Sequence, residues 1–312
     1  METVDVGQLR PGAVHRLRLH LTEDGAGFPI MVPVLVARGR RDGPILGIIA
    51  GVHGDEINGL PVIHKIFENI EPRSLAGTVI AAPVVNIPAF ERQRRRFIEG
   101  VDLNQIMPGK PEGSASDVYA HRLIDRLVRC FDYMIDLHTA SRGRVNTLYA
   151  RADLEDSVSA EMAHRLRPQI ILHSPARDKS VRGEASDLGI PSVTLEVGNP
   201  QQFQAEYIRS SVRGVRAVMS YLDISKARSV AESKEPILCR RSFWTYTDHG
   251  GLLRVAPRLC ERVEKGEVIA TLTNVFGDVI REYTAPASGV IIGKANNPVG
   301  HTGARIAHIG VE

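Results

Sequence analysis

The sequence predicts an α/β protein: a mixed, mostly parallel sheet flanked by helices, followed by a small all-β, barrel-sandwich-like domain. Three observations carry that expectation. Between Pro44 and Leu222, apolar runs of strand length alternate with stretches of helical periodicity, the pattern of buried strands joined by crossover helices. From Ile237 onwards the sequence is short β-rich runs broken by glycine, which is the pattern of an all-β module. Between the two, Lys226 to Glu235 is polar and reads as a linker. The expected boundaries are therefore 1–225, 226–236 and 237–312, in keeping with a chain long enough for two cores.

Taken in order, Val14 to Leu21 and Ile30 to Ala37 flank a Glu23-Asp24-Gly25 turn and read as a β-hairpin. Pro33 assigns the second of these strands to a sheet edge, because proline cannot donate to a ladder. Pro44 to Ala50 is an apolar strand that empties into Gly51-Val52-His53-Gly54-Asp55-Glu56. Ile57 to Ile70 carries Leu60, Ile63, Ile66 and Phe67 at helical spacing, with Pro61 required near the first turns. Thr78 to Val85 is another β-rich run, followed by a loop holding Arg92, Arg94, Arg95 and Arg96. Ser116 is the expected cap of a helix from Asp117 to Phe131. Phe131 to Leu137 then forms a strand that delivers His138 and Thr139 at its carboxyl end. A helix over Ser157 to Leu166, a strand over Gln169 to Leu172, a helix over Arg182 to Leu188, a strand over Ser192 to Val197 and a helix over Ala205 to Leu222 complete the alternation.

Bulk properties exclude several classes. Apolar residues make up 43% of the chain and charged residues 24%, the balance of an ordinary globular protein. A formal charge of +3 with one short arginine cluster is a poor footprint for nucleic acid. The absence of an apolar run of membrane-spanning length argues against a membrane protein, and Met1-Glu2-Thr3-Val4-Asp5 does not resemble a secretory signal. A cytoplasmic location is expected. Cys130, Cys239 and Cys260 are scattered and odd in number, which fits reduced core thiols.

The candidate chemistry sits at strand ends. His53 and Glu56 follow one buried strand and His138 follows another, and in open α/β sheets ligands gather at the carboxyl edge. Imidazole and carboxylate are the ligand types of hydrolytic zinc centres, which take three protein ligands.

These stretches together resemble the succinylglutamate desuccinylase/aspartoacylase family of zinc-dependent amidohydrolases, itself similar in fold to the zinc carboxypeptidases. The resemblance rests on Gly51 to Glu56, Asp102-Leu103-Asn104, Asp136-Leu137-His138-Thr139 and Thr194-Leu195-Glu196-Val197-Gly198, in that order. It implies one Zn2+ per chain held by His53, Glu56 and His138, with Glu196 as general base and acid. It further implies that Asp102 receives the other ring N–H of His53, that Asn104 binds substrate, and that an arginine stabilises the oxyanion. Spacing places that arginine at Arg94, with Arg95 or Arg96 as alternatives. Where the family usually has Asp-Leu-Asn-Arg, this chain has Gln105, which can hydrogen-bond a carboxylate but cannot neutralise it. Either the substrate lacks a carboxylate at that point, or Arg142, Arg144 or Arg182 supplies the charge.

The expected partner is a small N-acyl substrate whose amide is hydrolysed. The alternatives are a zinc carboxypeptidase acting on peptides and a non-catalytic binding homologue. The terminal module resembles a lipoyl-like domain through Val263 to Glu267 and Ala285 to Val290, yet no lysine lies between Gly266 and Gly293 for attachment. It is expected to carry no prosthetic group and to cover the active-site rim or mediate contacts in a homo-oligomer.

Overall fold

A computed structural model describes residues 1–226 and 234–312 of the chain. The elements run β1 (Ala13–Glu23), β2 (Pro29–Arg38), β3 (Arg41–Ala50), α1 (Gly59–Glu68), β4 (Ala76–Ala82), α2 (Ile87–Glu91), α3 (Ala115–Arg126) and β5 (Tyr133–His138). They continue with β6 (Arg144–Asn146), β7 (Leu148–Ala152), α4 (Ser157–Leu166), β8 (Ile170–His173), α5 (Val181–Asp187), β9 (Ser192–Val197) and α6 (Ala205–Tyr221). The terminal part holds β10 (Ile237–Cys239), β11 (Arg241–Tyr246), β12 (Gly251–Val255), β13 (Arg262–Val263), β14 (Val268–Thr273), β15 (Val279–Thr284), β16 (Gly289–Ala295), β17 (Val299–Gly300) and β18 (Arg305–Val311). Among the described residues no helix is long and apolar enough to cross a membrane.

Nine strands form the large sheet in the order β1-β2-β4-β3-β5-β9-β7-β8-β10. The β4-β3, β3-β5, β5-β9, β7-β8 and β8-β10 pairs are parallel, and the β1-β2, β2-β4 and β7-β9 pairs are antiparallel. The sheet is thus mixed and mostly parallel, as the alternation predicts. Strand periodicity divides its side chains between two buried layers. Leu46, Ile48, Ile135, Leu137 and Leu195 meet α1, α4 and α6 through Val62, Met162 and Val215. Ile49, Ile80 and Met134 meet α3 and α5 on the other face through Leu123, Ile124 and Val181.

Several local expectations shift for identifiable reasons. Pro33 lies in β2, an interior strand, while β1 takes the edge. Proline is tolerated there because β4 pairs only with Leu35 to Arg38, leaving Pro33 without a β4 neighbour. The α3 cap is Ser114, whose side chain accepts from Asp117 N at 3.2 Å, because the Ser116 hydroxyl instead donates to Glu99 Oε2 at 2.6 Å. That helix also stops at Arg126, five residues early, and a tight turn over Val128–Cys130 leads into β5. Asn86 caps α2, a short helix in a stretch expected to be loop.

The terminal module forms two antiparallel sheets, β11-β18-β16-β13 and β15-β14-β12-β17. Between them pack Leu253, Ile269, Leu272, Ile291, Ile306 and Ile309. The two parts of the chain trade strands. β6, from the first part, pairs with β16 in the module, and β10, expected to open the module, extends the large sheet alongside β8. Most of the expected linker, residues 227–233, lies outside the described residues.

Candidate metal and catalytic centre

Backbone geometry at the end of β3 aims the first pair of side chains. Gly51 turns the chain at φ +66°, a left-handed conformation that glycine adopts without a Cβ clash. Gly54 packs so tightly on α2 that a Cβ would stand 2.1 Å from the carbonyl carbon of Ala89. Its N–H donates to Arg94 O at 3.0 Å. This turn holds His53 and Glu56, both buried, with His53 Nδ1 2.9 Å from Glu56 Oε1.

The end of β5 brings the second imidazole. His138 Nδ1 lies 3.0 Å from Glu56 Oε2, and Thr139 N donates to the same oxygen at 3.1 Å. Ligand atoms of His53, Glu56 and His138 all lie within 4.8 Å of one another. Each imidazole is held from behind, His53 Nε2 against Asp102 Oδ1 at 3.0 Å and His138 Nε2 against Asp136 Oδ2 at 2.8 Å. Carboxylates accept, so both Nε2 atoms carry the proton, and in the neutral tautomer both Nδ1 lone pairs face the Glu56 oxygens. Arg95 Nη1 lies 3.2 Å from His53 Nδ1, and a proton or a metal cation between the imidazoles and Glu56 would satisfy lone pairs so arranged.

The electrostatics agree. Burial disfavours a charged His53, yet Glu56 and Asp102 outweigh it and raise its pKa. His138 rises well above its ordinary value against the same opposition, through Asp136 and Glu56. Burial would push Glu56 upward, but the two imidazoles hold it well below the usual carboxylate range. Asp102 is likewise lowered against its burial, by His53 and Arg95. With neutral imidazoles, the carboxylates of Glu56, Asp102 and Asp136 outnumber the nearby Arg95 guanidinium, so the pocket is anionic. Two imidazole nitrogens and a carboxylate in such a pocket fit a divalent metal ion.

Register places Glu196 beside this cluster. His138 of β5 pairs with Glu196 of β9, which pairs in turn with Tyr149 of β7, so the three side chains leave one face of the sheet in a row. Asn146 Nδ2 donates to Glu196 Oε2 at 3.3 Å. Burial first, and then the charge on Glu56, raise the pKa of Glu196.

The arginine at the cluster is Arg95, not the expected Arg94. Arg94 is exposed, whereas Arg95 Nη1 donates to Glu56 Oε1 at 2.8 Å and to Ser141 Oγ at 2.6 Å, and Arg95 Nε donates to Asp102 Oδ2 at 3.1 Å. The charged partners decide: Asp102 and Glu56 offer buried carboxylates to one guanidinium of the run. Arg96 turns back to the carbonyl of Gly100. Asn104 follows Asp102 in a tight turn over Leu103–Gln105, and its Oδ1 accepts from Val181 N at the start of α5. Gln105 is exposed. Arg182 does not join the cluster, since its buried guanidinium donates to Ser174 O and Oγ at 2.9 and 3.1 Å. Burial, then Arg151, lower its pKa to about 10.

Sequence reasoning missed Asp136, Ser141 and Asn146. Asp136 was legible, being two residues before His138 on a strand and hence on the same face. Ser141 and Asn146 carried no local signal.

Fold and centre together define a class. The chain matches the succinylglutamate desuccinylase/aspartoacylase catalytic domain over residues 42–222, more than half its length, and belongs to that family. Its relatives include an N-alpha-acetyl-L-2,4-diaminobutyric acid deacetylase of Halomonas elongata, 26% identical over 94% of this chain and 90% of that protein. A product-bound ectoine utilization protein EutE (DoeB) from Ruegeria pomeroyi shares the fold with a TM-score of 0.87 at 22% identity, covering 97% of this chain and 96% of that one. A succinylglutamate desuccinylase/aspartoacylase from Rhodobacter sphaeroides does so at 0.87 and 21%, covering 99% and 98%.

Proposed function

We propose that the protein is a zinc-dependent deacylase that hydrolyses the amide bond of a small N-acylated amine or amino-acid derivative. The observation that carries this reading is the buried His53-Glu56-His138 cluster with Glu196 as the neighbour of His138 in the sheet. Zinc held by those three side chains would polarise the amide carbonyl and bring the pKa of water to about 7.

The chain's own groups supply the rest. Asp102 and Asp136 fix the tautomers of the two imidazoles. Glu196, its pKa raised by burial, takes a proton from the attacking water and hands it to the departing amine. Asn146 orients that carboxylate through Oε2. Arg95, a permanent planar charge at the same point, stabilises the developing oxyanion. The Asn104 amide nitrogen is left to meet polar atoms of the substrate. The relative from Halomonas elongata supports a deacetylase and puts N-acetylated diamino acids first among substrates to try.

The test is metal analysis of the purified protein combined with a hydrolysis panel of N-acetyl, N-succinyl and N-formyl compounds and short peptides. Near-stoichiometric zinc and turnover of an acylated small molecule are expected. Peptides as the only substrates, or turnover unaffected by chelation, would overturn the reading.

A further inference from the structure

One sheet of the terminal module presents an apolar row to solvent from edge to edge. Register sets Leu252 of β12 beside Val299 of β17 and Thr273 of β14, and sets Thr273 beside Val279 of β15, so the row crosses all four strands. The alternate residues Leu253, Ala270 and Leu272 are buried in the module core, which fixes the row on the outer face. Val279 and Val299 are 60% and 57% exposed, and Leu252 is 42% exposed. Beyond the row, the turn between β14 and β15 carries Val275 and Phe276 at 80% and 87% exposure. That turn is braced. Asn274 Oδ1 accepts from the N–H groups of Phe276 and Asp278 at 2.9 and 3.0 Å, and Asn274 Nδ2 donates to Asp278 Oδ2 at 3.0 Å. Continuous apolar surface held outward in this way marks a contact surface.

The next row along the same face is charged. Arg254 of β12 pairs with Thr271 of β14, and Thr271 pairs with Glu282 of β15. Both charges are exposed. Among the described residues the ion-pair contacts of the module join His249 and Arg281 to Asp248 and Arg262 to Glu312, so Arg254 and Glu282 have no such partner within the chain. They stand on opposite sides of β14, as Leu252 and Val279 do, because β12 and β15 are its two neighbours. A half-turn about β14 therefore exchanges the two apolar positions and the two charges together. The face is complementary to itself.

We propose that this face joins two copies of the chain, packed sheet on sheet about a two-fold axis running along β14. Thr271 and Thr273 then meet their own counterparts, Leu252 meets Val279 of the second copy, and Arg254 meets Glu282 of the second copy on both sides of the axis. Sheets packed face to face lie about 10 Å apart with their strands nearly aligned. With the Val275-Phe276 turns included, such a contact removes roughly 1,000 Å2 from water, the lower bound for a specific interface. The dimer is accordingly weak and reversible, and its charges fix orientation more than they add affinity. The proposal stands apart from the deacylase reading, since association is measured without turnover.

Sedimentation of the full-length protein over a series of concentrations tests it. The dimer fraction is expected to rise with concentration. Arg254→Glu and Glu282→Arg should each raise the dissociation constant at least about tenfold, because each sets like charges against one another on both sides of the axis. The two substitutions combined restore opposite charges and should return the constant to within about threefold of the original. Leu252→Lys should abolish the dimer by placing a charge in the apolar row. All three positions are exposed, so the variants keep the fold, which circular dichroism checks.

A chain that stays monomeric throughout the series overturns the proposal. So does a dimer that both single charge variants leave untouched, or one that the combined variant fails to restore. Binding of this face to lipid vesicles or to a different protein, in place of a second copy, would also remove it.

Discussion

At the scale of single residues, Glu56 and Glu196 are carboxylates in one pocket whose surroundings push them in opposite directions. Glu56 faces two imidazoles and stays ionised far below the usual range, whereas Glu196 is buried near that same negative charge and is raised. Such divergence is what the proposed roles of ligand and base require. As the proposed base Glu196 would act only when deprotonated, so kcat/KM should fall as pH drops through its raised pKa, giving an acid limb above the ordinary glutamate value. Glu196→Gln should remove that limb and lower kcat by about 10²–10⁴-fold while leaving zinc content unchanged. A pH–rate profile with metal analysis on the variant checks both halves, and a surviving acid limb would assign the base elsewhere. The choice of Arg95 over its neighbours belongs to the same scale. The arginine run has no periodicity to read, and the deciding partners, Glu56, Asp102 and Ser141, are between seven and forty-six residues away.

At the scale of elements, boundaries were legible where the chain marks them locally. Ser157–Leu166 and Ser192–Val197 fall where the sequence places them, the first because Asp156 caps two backbone N–H groups and the second because its alternation ends at a glycine. The start of α3 was not legible. Ser114 and Ser116 are both fit to cap, and the choice is made by Glu99, which holds the Ser116 hydroxyl and N–H from outside the helix. Ser114→Ala should therefore cost about 1 kcal/mol of stability through loss of the cap. Chemical denaturation measures it, and an unchanged midpoint and slope would return the capping role to Ser116. The proposed metal ligands were readable for a related reason: His53 and His138 each stand at a strand end, and strand ends are strong sequence signals.

At the scale of the whole molecule, the exchange of strands ties the terminal module to the elements that carry the proposed catalytic site. Asn146, which donates to Glu196 Oε2, sits on β6, and β6 finds its hydrogen-bonding neighbour in β16 of the module. The module in turn lays Cys239, Val290 and Ile292 over Tyr149, Ile170 and Leu172 of the large sheet. The sheet that each three-residue strand joins was not legible, because runs so short bury too little to leave a periodic trace. Two ladders and a shared apolar cluster should hold the parts together without the covalent connection. Cleaving a protease site inserted between Lys226 and Lys234 should therefore leave two fragments that co-elute on size exclusion and keep most of the activity. Glu196 would lose its partner, and turnover would fall, only on separation. Fragments that part under native conditions while the first remains fully active would show that Asn146 is positioned by its own domain.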